Sequence, residues 1–189
     1  MSKNPARLEW PQMKTVGSYI IADFRANPRD PKAQVVMVLF RLCQVAMGRR
    51  NAPRKISYPL VAFYRLFTEL LLGLELRPKT VVGAGLSIYH GFGLVVNDHC
   101  IIGRNVALRN GVTIGNRIPG GPVPVIGDNV EIGAGAIVLG EVHLGDDCKV
   151  GAGSVVLHSV PDNAVVVGNP ARIVVATSNL GEQAVTNTT

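Results

Sequence analysis

One histidine of this chain stands where a side chain could perform acid–base chemistry. His90 lies in the segment IYHGFGLVV, residues 88–96, between aliphatic runs and beside two glycines. A neutral imidazole accepts protons near pH 7, and it is the most frequent general base in enzymes. Because His90 follows Ile88 by two residues and falls off the aliphatic pattern, we interpret it as a catalytic base rather than a buried structural residue.

The chain around His90 repeats every six residues, which indicates the element that must position it. Three such steps make one triangular coil of a parallel β-helix, whose inward aliphatic side chains stack about 4.8 Å apart. A second phase (Val82, Ile88 and Leu94) is offset by two residues and predicts a two-residue insertion near residues 95–100. The aliphatic positions of the main phase are Ile102, Leu108, Ile114, Ile126, Ile132, Val138, Leu144, Val150 and Val156.

The repeat is interrupted once, between Ile114 and Ile126. The intervening text, GNRIPGGPVPV, keeps the six-residue phase but is rich in proline and glycine. Proline removes a hydrogen-bond donor, so this text cannot form a regular coil. We predict a protruding loop over residues 116–125, a common setting for ligand contacts.

The first part of the chain predicts a small helical module over residues 1–73. Helices are expected at 17–30, 32–49 and 58–73, the last with Leu60, Tyr64, Phe67 and Leu71 on one face. Residues 1–80 carry 14 Lys and Arg against 5 Asp and Glu, a net charge of +9. These helices either pack against one another or make peripheral contact with the inner face of a membrane. No nucleic acid is expected, because the basic part lacks interleaved exposed aromatics.

Cysteines and hydropathy indicate the compartment. The three cysteines form neither a zinc pattern nor a closed set of disulfides, which favours the cytoplasm. The segment MSKNPARLEWPQMK has no apolar signal core, and the runs VVMVLF and LLLGL are too short to span a bilayer.

Residues 74–174 resemble the left-handed β-helix acyltransferases of the hexapeptide-repeat family. The resemblance rests on IYHGFGLVVND, RNGVTIGNR, IGDNVEIGAGAIVLG and the closing NPARIV. It is greatest for the serine O-acetyltransferase branch, and within it for acetyltransferases of colanic acid and related exopolysaccharides. The fold class implied is mainly β, a left-handed parallel β-helix preceded by the helical module, with residues 175–189 as a flexible tail.

The resemblance also implies an activity. It implies acetyl transfer from acetyl-CoA to a hydroxyl group, without a metal, in a homotrimer with sites between subunits. His90 then matches the general base and Glu75 its carboxylate partner. The residues implied to lie near acetyl-CoA are Ala134, Lys149 and Ala152; we also expect Gly115 to bind it, and Arg172 either to contact a CoA phosphate or to serve as a structural cap.

The chain departs from the serine branch where that branch contacts serine. Tyr89 replaces an Asp before the histidine, and Pro122 and Val123 replace an Arg-His pair. We therefore expect a sugar hydroxyl of an exopolysaccharide precursor as acceptor, contacted by Tyr89. Two alternatives stay open: a serine O-acetyltransferase, and a hexapeptide-repeat scaffold without catalysis.

Overall fold

The computed structural model describes residues 16–21, 23–48 and 55–175, and it confirms the predicted fold class. The chain is mainly β: a parallel β-helix of about five coils follows a small helical module. The strands are β1 Glu75–Leu76, β2 Val81–Val82, β3 Ser87–Tyr89, β4 Val95–Val96, β5 Ile101–Ile102, β6 Ala107–Arg109, β7 Thr113–Gly115, β8 Val125–Ile126, β9 Glu131–Ile132, β10 Ile137–Leu139, β11 His143–Leu144, β12 Lys149–Val150, β13 Val155–Val156, β14 Val165–Gly168 and β15 Ala171–Val175.

The strands form three sheets, which are the three faces of the triangular coil. Face A has the order β1-β4-β7-β10-β13, face B the order β11-β8-β5-β2, and face C the order β15-β14-β12-β9-β6-β3. All pairs are parallel except β14 with β15. The pillar residue of each repeat points inward and is buried, so the core is a stack of Val, Ile and Leu.

The register places the two-residue insertion at a different point from the one predicted. Val96, not Leu94, pairs with Ile114 and continues the pillar upstream. From Ile88 to Val96 is eight residues, whereas every regular step is six. The prediction near residues 95–100 was therefore wrong: the extra two residues lie in the turn that contains His90.

The helical module is less regular than its sequence predicts. Helix α1 covers only Val16–Ile20, and turns replace the rest of the helix predicted to residue 30. Helix α2, Pro31–Met47, starts at the Asp30 cap and ends at Gly48 with φ 74°. A 3-10 turn, Lys55–Ser57, leads into α3, Tyr58–Arg65.

The third predicted helix changes type in its second half. After α3 the chain continues as a π-helix over Leu66–Leu71. The wider π turn alters the direction of the following side chains, so Leu71 is 72% exposed instead of sharing the packed face of Tyr64. Tyr64 is buried, and its hydroxyl donates to the Leu76 carbonyl.

The turns after α1 cap the open end of the β-helix, which explains why they are not helical. The first coil has no coil beneath it, so some of its backbone groups need side-chain partners. Asp23 accepts hydrogen bonds from the Gly85 and Leu86 amides, and Asn27 accepts one from the Ile88 amide. A helix through residue 30 would direct these polar side chains elsewhere.

A buried ion pair joins α2 to this cap. Arg41 Nε lies 2.7 Å from Asp23 Oδ2, and both side chains are fully buried. The same guanidinium donates to the carbonyls of Val82 and Gly83 in the first coil. The helical module is thus fixed to the coil that carries His90.

The limits of the described chain bear on two expectations. The predicted tail, residues 175–189, lies outside the described residues except for Val175, which is the last residue of β15. Residues 1–15 of the predicted helical module also lie outside them. Of the helices in the described ranges, none is long and apolar enough to cross a membrane.

Candidate active site

His90 lies on an extra turn at the corner between faces C and A. It follows β3 directly, is exposed, and has φ 66°. The other described non-glycine residues with positive φ are all Asn or Asp, which tolerate this region most easily. Gly91 has φ 64°, where any other side chain would be strained, and a Cβ there would press against the Leu74 and Ile88 side chains. The insertion therefore projects an imidazole from an otherwise smooth corner.

A lysine from the helical module contacts this turn, and sequence reasoning missed it. The Lys32 ammonium, at the start of α2, donates to the His90 carbonyl oxygen. It also lies 3.7 Å from the centroid of the Phe92 ring, an arrangement that favours cation–π attraction. Lys32 is 58 residues away from His90, and no local pattern relates the two positions.

Glu75, the predicted partner of His90, is engaged elsewhere in this structure. It lies on β1 opposite Val95, on face A. Its Oε1 accepts from Arg77 Nη2 at 2.8 Å. Within the part of the chain that the structure describes, no hydrogen bond or ion pair joins Glu75 to His90. The pairing of Glu75 with His90 therefore stays a prediction.

Tyr89 points outward on face C, one residue before His90. It pairs in register with Arg109 on β6, whose guanidinium carbon lies 5.2 Å from the Tyr89 ring centroid. Both residues border a shallow groove of about 520 Å³ on face C, which also reaches Asn105, Glu131 and Lys149. A ring and a cation beside the imidazole suit a polar, ring-shaped ligand. Sequence reasoning identified Tyr89 and missed Arg109.

Ala134 and Ala152 lie on the same corner as His90. The Gly153 amide donates to the Ala134 carbonyl, and the Gly135 amide donates to Asn110, so the turns stack coil upon coil. Open space lies over Gly135 and Gly153, where an added Cβ would meet nothing within 4 Å. The corner is therefore a narrow strip of exposed backbone with small side chains, and His90 stands at its lower end.

The other residues implied to bind acetyl-CoA are distributed more widely. Lys149 lies on face C beside this corner and pairs with Glu131 at 2.9 Å. Arg172 is on β15, five strand positions from β3 along face C, or roughly 24 Å at the spacing of parallel strands. Gly115 ends β7, at the opposite edge of face A. The structure brings together His90, Ala134 and Ala152, with Lys149 beside them.

The Pro/Gly loop protrudes from a different corner. Residues 116–124 contain no helix or strand and connect β7 on face A to β8 on face B. Asn116 donates to the Ile118 carbonyl, and Ile118 is 65% exposed. The loop is thus separated from the His90 turn by the width of face A.

The cysteines are unsuited to nucleophilic catalysis. Burial raises the pKa of the Cys43, Cys100 and Cys148 thiols to about 12. A thiol must lose its proton to act as a nucleophile, so these groups stay neutral at physiological pH. Over residues 16–21, 23–48 and 55–175, no group of three or more His, Cys, Asp or Glu could hold a metal ion.

The arrangement can support direct transfer between two substrates. His90 is exposed at one end of the strip of open backbone, and Tyr89, its neighbour in the chain, lines the groove on face C. A long thin ligand fits the strip, and a ring-shaped one fits the groove, so their reactive ends would meet at His90. In the His90 turn the amides of Phe92, Gly93 and Leu94 already donate to backbone carbonyls, so a developing oxyanion would need other donors.

Comparison with known sequences identifies the protein family that this chain matches. Residues 124–158 match the model described as bacterial transferase hexapeptide (six repeats). The protein named "Putative colanic acid biosynthesis acetyltransferase WcaB" from Escherichia coli K12 is 39% identical over 160 residues, which covers 82% of this chain and 99% of that one. The serine acetyltransferase of Synechocystis is 41% identical over 164 residues, covering 82% of this chain and 66% of that one.

Solved structures lead to the same group of proteins. The soybean serine acetyltransferase apoenzyme superposes with a TM-score of 0.72 at 34% identity, covering 86% of this chain and 70% of that chain. A serine acetyltransferase in complex with CoA gives a TM-score of 0.71 at 26% identity, covering 85% of this chain and 70% of that chain. Relatives of both names are acetyltransferases, and the names differ in the acceptor.

Proposed function

This chain belongs to the hexapeptide-repeat transferase family and is an acetyltransferase, and we propose that it transfers acetyl from acetyl-CoA to a hydroxyl of a sugar in an exopolysaccharide precursor. The observation that carries the proposal is the two-residue insertion at His90. It places one exposed imidazole at the end of an open backbone strip, next in the chain to Tyr89, which lines the polar groove.

In the proposed reaction His90 is the general base. Its neutral imidazole takes the proton of the acceptor hydroxyl as the oxygen attacks the thioester carbonyl. A tetrahedral oxyanion forms and then collapses, breaking the C–S bond, and the CoA thiolate recovers a proton from the imidazolium. No acyl-enzyme is needed, because the thioester is already activated and the buried thiols are protonated.

Glu75 is proposed to stabilise the imidazolium. A carboxylate near a histidine fixes its tautomer and stabilises its charged form. In the described structure Glu75 is bound to Arg77, so this role requires Glu75 to exchange that partner for His90 when the substrates bind. Arg77 would keep Glu69, whose Oε1 lies 3.7 Å from its Nε.

Acetyl-CoA is proposed to lie along the corner strip. Ala134 and Ala152 allow its thin pantetheine arm close to the backbone, and Lys149 and Arg172 offer cations for its phosphates. Gly115, at the opposite edge of face A, fits this placement only if a neighbouring subunit supplies it. The solved complex of a relative with CoA supports CoA as the product.

The acceptor is proposed to occupy the groove on face C. Tyr89 and Arg109 present a ring face and a guanidinium to sugar hydroxyls, and Asn105, whose amide donates to Asn129 Oδ1, borders the same groove. A free amino acid needs paired charges, because unpaired burial of its ammonium and carboxylate costs several kcal/mol. Tyr89 rather than an acidic residue precedes His90, and the one carboxylate lining the groove, Glu131, is already paired with Lys149 at 2.9 Å, which favours a sugar over serine.

A homotrimer is part of the proposal. The exposed corner and the loop at residues 116–124 lie at different edges of one chain. Cyclic assembly would bring the loop of one subunit toward the His90 corner of its neighbour and close the site. The same assembly would cover the flat faces of a five-coil helix. We place the trimer in the cytoplasm, where acetyl-CoA is available.

Serine O-acetyltransferase is the second candidate, because relatives of that name are as similar as the colanic acid protein. The deciding experiment compares kcat/KM for L-serine with that for nucleotide- and lipid-linked sugars, following CoA release. The sugar proposal expects a sugar to be preferred by at least tenfold. A higher kcat/KM for serine would reject it in favour of the second candidate.

A further inference from the structure

Six large apolar side chains are exposed on one stretch of the helical module. We call them the apolar stripe, and they lie on the 3-10 turn, α3 and the π-helix. Ile56 is 86%, Leu70 74% and Leu71 72% exposed. The members of the apolar stripe are Ile56, Tyr58, Phe63, Leu66, Leu70 and Leu71.

The exposure of the apolar stripe does not result from poor packing of the core. The opposite side of the same helices already packs on the β-helix, with Tyr64 fully buried and Leu60 and Phe67 against the core. Phe63 and Leu66 are three residues apart and lie on the same helix face. Phe63 is further held by stacking on Phe67, with ring centroids 6.2 Å apart. The segment therefore has two apolar sides, and among the residues that the structure describes only one of these sides is packed against the core.

The π-helix widens the exposed side. A continuous α-helix would place Leu71 with Tyr64 on the packed face, at a spacing of seven residues. The π-helix over Leu66–Leu71 instead leaves both Leu70 and Leu71 exposed. Short π-helical segments occur frequently at functional sites, so leucines turned outward by one are expected where a surface binds a ligand.

The charges around the apolar stripe indicate the chemistry of that ligand. The segment RRNAPRK, residues 49–55, precedes Ile56 and contains four cations and no acid. The one carboxylate inside the helical stretch, Glu69, is bound by Arg65 at 2.9 Å. Any partner that covers the apolar stripe must therefore accept apolar side chains together with a strong local positive charge.

We propose that the apolar stripe docks the protein on an anionic lipid surface. Leucine and phenylalanine enter the acyl boundary, Tyr58 lies at the headgroup level, and the preceding cations meet lipid phosphates. A second copy of the chain fits less well, because a two-fold contact on the apolar stripe would bring the exposed Lys55, next to Ile56, close to its own copy. Docking would hold the groove on face C near a membrane, which suits a lipid-linked acceptor.

The test measures binding to vesicles and needs no catalysis, so it can fail while the proposed function stands. Full-length protein is sedimented with vesicles of phosphatidylglycerol and phosphatidylcholine in equal amounts, and with phosphatidylcholine alone. Leu66→Gln/Leu70→Gln is compared with wild type and with Val35→Gln, an exposed apolar residue on α2 outside the apolar stripe. All three substituted positions are exposed, so each variant should fold normally.

We expect wild type and Val35→Gln to bind the anionic vesicles at least tenfold more tightly than phosphatidylcholine, with binding weakened by added salt. The double variant should lose at least tenfold in affinity, since each buried leucine contributes on the order of a tenfold factor. Absent binding, or equal binding by the double variant, would overturn the proposal. So would a change in molecular mass by light scattering, since the apolar stripe would then join copies of the chain.

Discussion

Replacing Arg41 with methionine should destabilise the protein far more than replacing an exposed arginine. The Arg41 guanidinium is fully buried and binds both carboxylate oxygens of Asp23, at 2.7 and 3.1 Å. It also donates to the carbonyls of Val82 and Gly83. Arg41→Met leaves a buried carboxylate without its cation and two carbonyls without donors. Removing one partner of such a pair costs about 3–5 kcal/mol in the free energy of unfolding.

The matched control is Arg65→Met, which breaks the exposed pair with Glu69. Arg65 is 45% exposed, and an exposed pair four residues apart on a helix contributes about 0.3–0.5 kcal/mol. Urea unfolding of both variants and wild type at one protein concentration, followed by circular dichroism, gives the comparison. If Arg41→Met unfolds within about 1 kcal/mol of wild type, the buried pair does not fix the helical module to the first coil, and the reasoning from desolvation fails.

Three further outcomes follow from the structure. Gly83→Ala should destabilise the protein by about 1–3 kcal/mol in thermal unfolding, because its Cβ would lie 2.6 Å from the Gly103 carbonyl oxygen. Gly17→Ala is the control, since open space surrounds Gly17 and the substitution should not destabilise the protein. Equal effects of the two substitutions would refute the close stacking of the coils at Gly83. Burial raises the pKa of the Cys100 and Cys148 thiols from 9.0 to about 12. At pH 9 these thiols should therefore resist iodoacetamide in the folded protein and react with it in the urea-unfolded chain. Rapid labelling of both thiols in the folded protein would contradict their burial. Light scattering should give three times the chain mass of 20.1 kDa, and a monomer at micromolar concentration would exclude the proposed trimer.

The β-helix could be predicted because its information is local and repeated. Each pillar residue needs only to be aliphatic and inward, so a period of six identified Ile102 through Val156. The same reasoning misplaced the insertion because Leu94 is also aliphatic and buried, and it competes with Val96 for the pillar position. Spacing does not decide between them, because each alternative leaves one step of six residues and one of eight between Ile88 and Ile102; the pairing of Val96 with Ile114 in the structure decides.

The contacts of the site could not be read from the sequence in the same way. Lys32 reaches His90 from a helix 58 residues away, and Arg109 reaches Tyr89 because two coils stack in register. The cap formed by Asp23 and Asn27 replaces a helix that propensity favours, since unpaired amides of the first coil bind those side chains. The contacts of this cap depend on which end of the β-helix lacks a further coil, and the six-residue repeat does not indicate which end that is.

The central claim is tested most directly by the turnover of His90→Asn. Asparagine tolerates the positive φ of this position but cannot act as a general base. With acetyl-CoA and the preferred acceptor, we expect kcat to fall by roughly 100- to 10,000-fold, with acetyl-CoA affinity and molecular mass unchanged. Turnover near that of wild type in the correctly assembled variant would contradict the assignment of His90 as the base of the acetyl transfer.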